Sequence, residues 1–321
     1  MAKLDLTFQN QGELIEEIQK ALDSTTGTGA LIDDVRDSVI GEELDKRHQL
    51  WANLRRMPGV GAQALVTRKT ARPTAAWVGE TAQATPSDAT YASEGFDYKT
   101  ISSVGGLSRK LRLGAVNVFG DFKQQAEMDE MDAVINLVES TLFVGTGAGD
   151  IPAGLNVLVD AAPSTQKVEQ GAAPTGATLS LIKIDEAIDA AEDNDARIRF
   201  ALTSSAFRRE WNNLLQAQQR FVNMVDIKGG FRVMEHNGIP VLRSNGVVDE
   251  DIDPGGPVVN AQRISFIDDE TGFWVQHLLL PVIFDLALTK ASQIDFEVLA
   301  IMSFPLKNRL RVSQLVNIIR S

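Results

Sequence analysis

Cysteine is missing from all 321 residues, and histidine and tyrosine are scarce, with three and two copies. Without cysteine there is no disulfide, no thiolate nucleophile and no cysteine-ligated zinc. Stability must then come from packing and from contacts between subunits; the absence fits a reducing compartment. The histidines, His48, His236 and His277, lie far apart, and none has the H-x-x-x-H spacing of a metal pair. They read as surface or internally satisfied side chains. Positive charge is in deficit: 31 Lys and Arg against 43 Asp and Glu leave a net charge of −12. A chain this acidic gains little from counterion release on a phosphate backbone, so tight sequence-specific binding of nucleic acid is not expected. No apolar run approaches the roughly 18 residues of a membrane span. The start Met1-Ala-Lys-Leu-Asp5 lacks the apolar region of a signal peptide. A soluble, cytosolic chain with no membrane association is expected.

Catalytic signatures are missing too. Gly145-Thr-Gly-Ala-Gly-Asp150 has the glycine content of a phosphate cradle. It follows a helical stretch, however, where the dinucleotide fingerprint needs a strand before it and a helix after it. No G-K-[ST] follows, so a helix end and turn is expected. There is no G-x-S-x-G elbow. Asp33-Asp34 and Asp249-Glu-Asp-Ile-Asp253 are carboxylate clusters. The second lacks the glycine and final glutamate of a calcium loop and reads as a solvated acidic loop. No catalytic residue, cofactor or metal site is expected.

What is present is a core-forming chain, 44% hydrophobic, with length for roughly two domains of about 150 residues. Leu14, Ile15, Ile18, Ala21 and Leu22 form a helical stripe that Thr25-Thr-Gly-Thr-Gly29 interrupts, as in an arm that packs on something else. From Met57 to Arg112 helical periodicity disappears. Gln63–Arg68, Ala75–Val78 and Phe96–Leu107 read as strands around a turn-rich stretch, Ala82–Ser93. Core residues are few here (Trp77, Tyr91, Phe96, Tyr98), so the spacing predicts a two-stranded excursion that is marginal alone and rests on a partner. Its basic residues Arg68, Lys69 and Arg72 are predicted to dock on an acidic surface of a neighbouring copy. Such contacts set register and on-rate more than net affinity.

Asp121–Phe143 is the strongest helix, with Asp121 as N-cap. Its apolar stripe is Phe122, Ala126, Met131, Val134, Ile135, Val138, Leu142 and Phe143, with Glu127, Asp129, Glu130, Asp132 and Glu139 on the other side. It would run roughly 35 Å as a spine. Leu179–Glu192 and Ser204–Gln218 are further helices. Ile198–Thr203 is a buried strand, and Ile239–Arg243 is entered through the turn dipeptide Asn237-Gly238. The chain finishes in strands at Arg263–Ile267, Gly272–Gln276, Val282–Leu288, Phe296–Met302 and Arg309–Ile318. Strands segregated from helices make this α+β.

In their order, several pieces resemble the tailed-bacteriophage major capsid protein, the Hong Kong 97 fold family. They are Ala75-Ala-Trp-Val-Gly-Glu80 with Thr85-Pro-Ser-Asp88, the strand Phe96-Asp-Tyr-Lys-Thr-Ile101, and Ser103-Val-Gly-Gly-Leu-Ser-Arg-Lys-Leu111 leading to the long helix. Phe143-Val-Gly-Thr-Gly147 with Ile151-Pro-Ala-Gly-Leu155 is similar to the family's G-T-G … P-x-G signature. Ala201-Leu-Thr-Ser-Ser-Ala206 and Asn237-Gly-Ile-Pro-Val-Leu242 look like its later strand–helix unit and Gly-x-Pro-Val strand. The resemblance implies an N-terminal arm (1–56), an extended loop (57–105), a peripheral domain with a spine helix (106–150 and 292–321) and an axial domain (151–291).

It further implies self-assembly as pentamers and hexamers into an icosahedral head enclosing double-stranded DNA, located in the virion and assembled in the host cytoplasm. The candidate inter-subunit residues are Arg68, Lys69, Arg72, Trp77, Glu80, Tyr91 and Phe96. Portal, decoration and separate scaffolding proteins are partners the resemblance allows. Some members carry a long charged scaffolding segment; only a short arm precedes the loop here, so a separate scaffold, or none, is expected. Lys69, Asn308 and Asn317 are the residues to weigh for the family's Lys–Asn cross-link. A nucleophilic lysine needs desolvation and a nearby carboxylate, and no cross-link is expected. The rival readings are an encapsulin-type compartment shell and a monomeric ligand-binding α+β module.

Overall fold

The apolar runs of the C-terminal half build two sheets, and the long central helix lies on the smaller one. The computed structural model describes residues 48–71, 73–78, 80, 83, 85–108, 122–161, 164–173, 175–217, 223–228, 230–251, 260–286 and 293–320. All belong to the unit His48–Ser321. The predicted arm helix Leu14–Leu22, the Asp33-Asp34 pair, Arg72, Asp121 and Asp253 lie outside the described residues.

The first elements are α1 (Gln49–Asn53), β1 (Arg56–Pro58), β2 (Gln63–Ala71), β3 (Thr90–Asp97), β4 (Lys99–Ser108) and α2 (Phe122–Val144). Then come α3 (Leu155–Asp160), β5 (Lys167–Glu169), β6 (Ala177–Thr178), α4 (Leu181–Glu192), β7 (Phe200–Thr203) and α5 (Ser205–Ala217). The rest are β8 (Asn223–Ile227), β9 (Phe231–His236), β10 (Ile239–Arg243), β11 (Glu250–Asp251), β12 (Asn260–Ile267), β13 (Val275–Asp285), β14 (Gln293–Ser303) and β15 (Val312–Ile319).

The smaller sheet has the order β1-β13-β14-β4. β13, β14 and β4 are antiparallel neighbours and β1 joins in parallel. Gly105 in β4 is dictated by packing, because a Cβ there would stand 2.3 Å from the Phe296 ring on β14. α2 lies against this sheet, burying Met131, Val134, Ile135, Val138, Leu142 and Phe143.

The larger sheet has nine strands, with β5-β15-β12-β7-β10-β9-β8 in order, β11 beside β12 and β6 beside β15. Asn237 and Gly238 both take positive φ, 50° and 83°, between β9 and β10, as a tight hairpin turn requires. α4 starts at Ser180, whose hydroxyl accepts from the Lys183 amide, and α5 starts after Ser204, whose hydroxyl accepts from the Phe207 amide. Phe207, Trp211 and Leu215 recur every four residues along α5 and join Ile184, Ile188, Val241, Ile264, Phe266 and Leu315 in one core.

Several elements differ from the sequence reading. Glu127 and Glu139 are buried at 1% and 5% exposure, because α2 has packed elements on more than the apolar side. Ala75–Val78 forms no strand; it lies beyond the last β2–β3 pair, Ala71 with Thr90, and has no strand partner among the described residues. The predicted strand Phe96–Leu107 is broken at Tyr98 into β3 and β4, which pair with different partners. β8 and β9 were not foreseen. Sheet membership also cuts across the expected division of the chain. β15, expected with the long helix, pairs with β12 in the larger sheet, while β13, expected in the other part, sits in the smaller one.

Candidate assembly interface

β2 and β3 form a separate two-stranded sheet, and this hairpin carries most of the expected interface residues. Its strands are tied laterally by the Gln63 amide donating to Asp97 (2.7 Å) and by the Thr70–Thr90 hydroxyl pair (2.8 Å). Ser87 accepts from the Thr74 amide and donates to the Thr74 carbonyl, cross-tying the segments beyond the strands. Ala64 and Val66 are the only buried residues of the two strands among the described residues. Leu65 is 71%, Tyr91 65% and Trp77 104% exposed. Glu80 is exposed and Phe96 half-buried. A fully solvated tryptophan forfeits the area that makes aromatic side chains dominate cores and interfaces.

The hairpin is moored by one carboxylate. Glu94 on β3 forms a close ion pair with Arg68 across the hairpin (2.9 Å) and accepts a hydrogen bond from Arg309 in the turn before β15 (3.1 Å). Arg68 is therefore not the free docking charge expected from the sequence; a carboxylate on the paired strand already faces it. Lys69 remains exposed without a side-chain partner among the described residues. Between the hairpin and the turn lies an open groove of about 970 Å³, lined by Arg68, Lys69, Tyr91, Lys307, Arg309, Leu310 and Arg311 among others. Asn308 lines it too, with its side-chain carbonyl accepting from the Leu310 amide. Asn317 is elsewhere, bonded to the Gly171 carbonyl.

A second polar cluster fixes the chain just ahead of the sheets. His48 Nε2 lies 2.7 Å from Asp132 and Nδ1 3.6 Å from Glu139, both on α2. Glu139 also accepts from the Trp51 amide and the Ser244 hydroxyl, each at 3.3 Å. One buried carboxylate thus joins α1, α2 and the segment after β10. Burial alone would lower the His48 pKa; the hydrogen bonds and charges of Glu139 and Asp132 outweigh it and hold the imidazole above its ordinary value. Sequence reasoning placed Glu139 among the polar residues of α2 and missed this role. His236 donates to or accepts from Asp185 at 3.0 Å and meets the Trp211 ring edge-on, a satisfied core histidine.

The glycine signature after α2 is a close backbone contact. The Gly154 amide donates to the Gly145 carbonyl at 2.8 Å. A Cβ on Gly145 would sit 2.2 Å from the Pro152 carbonyl, and one on Gly154 2.5 Å from the Gly145 nitrogen. The expected helix end and turn is what forms, and the tight approach explains the glycines there. Among the described residues, no group of three or more His, Asp or Glu side chains is placed to hold a metal ion, and no helix is long and apolar enough to cross a membrane.

A spine helix on a small sheet, a larger mixed sheet and an under-buried hairpin define a shell-building subunit with the Hong Kong 97 capsid fold. The family model of the phage capsid family matches residues 28–246, and the chain belongs to that family, one of structural shell proteins rather than enzymes. A sequence search among curated proteins gave no match. Among solved structures, the chain is similar to a Mycobacterium phage Bobi structure, with TM-score 0.59, 13% identity, and 83% of this chain and 89% of that one covered. It is similar to the capsid of a native GTA particle (TM-score 0.58, 12% identity, 84% and 89% covered). It is also similar to the holo-SrpI encapsulin complex of Synechococcus elongatus (TM-score 0.63, 12% identity, 84% and 87% covered). At these identities the structures speak for the fold alone.

Proposed function

We propose that this capsid protein self-assembles as pentamers and hexamers into an icosahedral phage head that encloses double-stranded DNA. The observation that carries the reading is the hairpin: its strands bury only Ala64 and Val66 and leave Leu65 and Tyr91 in solvent, where Trp77 beyond them also lies. Covering those side chains with a neighbouring copy gains about 25 cal/mol per Å² of apolar area before the costs of association. Repetition in closed symmetry turns many modest contacts into a stable particle. In this reading β2, β3 and the segment between them are the extended loop, α2 with the smaller sheet is the peripheral domain, and the larger sheet with α4 and α5 is the axial domain. Residues 1–56 supply the arm. Arg68, Lys69, Arg72, Trp77, Glu80, Tyr91 and Phe96 contribute to contacts between copies, and no Lys69 cross-link to Asn308 or Asn317 forms.

A net charge of −12 supports a shell that encloses DNA without gripping its sequence, with small cations neutralising the phosphate. Assembly takes place in the host cytoplasm, with portal, decoration and scaffolding proteins as partners of the finished virion. The likeness to an encapsulin complex favours a second reading, a compartment shell holding protein cargo.

The test is expression followed by size-exclusion chromatography and negative-stain imaging. Particles tens of nanometres across, or free pentamers and hexamers, are expected on the scale of such closed assemblies. A chain that stays monomeric at high concentration overturns the proposal. Packaged nucleic acid supports the phage head, and copurified enzyme supports the compartment.

A further inference from the structure

The edges of the sheets are unequally guarded. An exposed edge strand offers unpaired amides and carbonyls to any other strand, and proteins blunt such edges with short strands, proline or charge. β1, β5, β6 and β11 are two or three residues long, and β1 ends in Pro58. β8 carries Asp226, β2 carries Arg68 and Lys69, and β3 carries Glu94 and Asp97. β4 has only Lys99, at its first position. It is ten residues long and pairs with β14 throughout without a register shift. Among the described residues no strand lies on its other side. From Thr100 to Ser108 it contains no charge and no proline.

The two faces of β4 are distinct. Ser103 donates to Glu130 on α2, so the odd-numbered residues face the helix. Ser102 donates to Glu297 on the other face (2.5 Å). Thr100, Ser102, Val104, Gly106 and Ser108 are exposed there, Val104 at 61%. Antiparallel pairing sets residues of the same face opposite one another, which restricts the strands that fit. β4 fits itself. With Val104 on a twofold axis, Thr100 stands opposite Ser108, and Ser102 opposite Gly106, of a second copy. The uncharged residues Thr100–Ser108 then form the whole ladder. Lys99 stays outside it, and the exposed Val104 is covered by its own counterpart. β2, β3 and β8 would each bring charge into the ladder.

We propose that β4 of one copy pairs antiparallel with β4 of a second copy across a twofold axis, joining their four-stranded sheets into one. The contact is isologous, so the same edge serves both partners and closes at two chains. It rests on the shell reading and adds a contact between copies separate from the hairpin. Backbone hydrogen bonds make this contact, where the hairpin offers exposed side chains.

The chain has no cysteine, so an introduced one reports a single contact. Under mild oxidation, Val104→Cys in assembled particles should link more than about half of the subunits into disulfide dimers, since directly opposed residues hold their Cβ atoms about 4.5–5.5 Å apart. Ser102→Cys should link fewer than about a tenth, because the two copies of residue 102 lie about 13 Å apart along the strands. In the unmodified chain, hydrogen exchange at the β4 amides that do not bond to β14 should slow at least about tenfold on assembly. That measurement needs no variant and decides the matter if Val104→Cys fails to assemble. Val104→Lys sets like charges together at the axis and should lower particle yield about fivefold, with circular dichroism of dispersed subunits checking that it folds. Val104→Thr keeps a β-branched side chain and should assemble within about twofold of the unmodified chain. Particles in which Val104→Cys stays unlinked, or in which Ser102→Cys links equally well, overturn the pairing. So do β4 amides that exchange equally fast before and after assembly, or a Val104→Lys chain that assembles normally. Protection of β4 without a Val104→Cys dimer gives the edge to a different strand and overturns the self-pairing as well. An unmodified chain that forms no particles would instead sink the shell reading beneath it.

Discussion

Trp211 and Trp77 are the same residue in two opposite settings. Trp211 on α5 is fully buried against the larger sheet, with His236 and Phe266 meeting its ring edge-on. Trp77 beyond the end of β2 is fully exposed. The body of the molecule supplies its own interior; the hairpin has two strands and a two-residue interior, held to the body by the carboxylate of Glu94. Stability and assembly therefore rest on different residues. The largest expected effect follows: Trp211→Ala should cost about 3–5 kcal/mol, read from urea unfolding of dispersed subunits. Trp77→Ala should leave the same transition within about 0.5 kcal/mol while cutting particle yield. Equal losses of subunit stability from both would erase the distinction.

The body was largely legible in the sequence, for a physical reason. Its helices bury one stripe, so spacing alone locates α4, α5 and the apolar side of α2. Asn237-Gly238 marked the turn into β10, because few other residues accept two consecutive positive φ values, but the partner strand β9 was not foreseen. The hairpin was legible by its poverty: too few apolar residues to form a core. What escaped was set by tertiary neighbours. Glu139 looks like any polar helix residue until Trp51, His48 and Ser244 converge on it. Arg68 looked free because Glu94, its partner, lies 26 residues away across a turn. β15 looked like part of the peripheral unit because sequence order says nothing about which sheet a final strand joins.

Within the body, the turn after α2 offers a sharper probe. Gly145→Ala would drive a Cβ against the carbonyls of Pro152 and Thr141, at 2.2 and 2.6 Å, and backbone atoms cannot rotate aside. A loss of about 1–3 kcal/mol is expected, in contrast to an alanine at exposed Gly61, where no atom lies within 4 Å but φ is +86°. Equal tolerance at both positions would remove close packing as the reason for the G-T-G … P-x-G pattern.

The His48 cluster should make stability respond to pH. Its folded pKa is raised above the unfolded value near 6.5. The stability it contributes is thus complete below about pH 6.5 and is lost as pH rises through the higher folded value. His48→Asn should cost on the order of 1–2 kcal/mol at pH 6, and its difference from the unmodified chain should shrink toward pH 9. A difference that stays constant across that range would mean that His48 acts by shape rather than charge.

The smallest effect should come from the mooring of the hairpin itself. Glu94→Gln removes the charge that Arg68 and Arg309 share. The site is about one-third exposed, so solvent screening keeps the cost below about 1 kcal/mol, and the urea transition should barely move. Local opening is another matter, because the hairpin has little else to hold it. Hydrogen exchange at the amides of β2 and β3 should quicken several-fold, while β12 in the larger sheet stays protected. Arg309→Gln should act in the same direction but less, since Glu94 keeps Arg68. If β2 and β3 exchange at unchanged rates in Glu94→Gln, the ion pairs do not moor the hairpin, and the buried side chains of Ala64 and Val66 must hold it unaided.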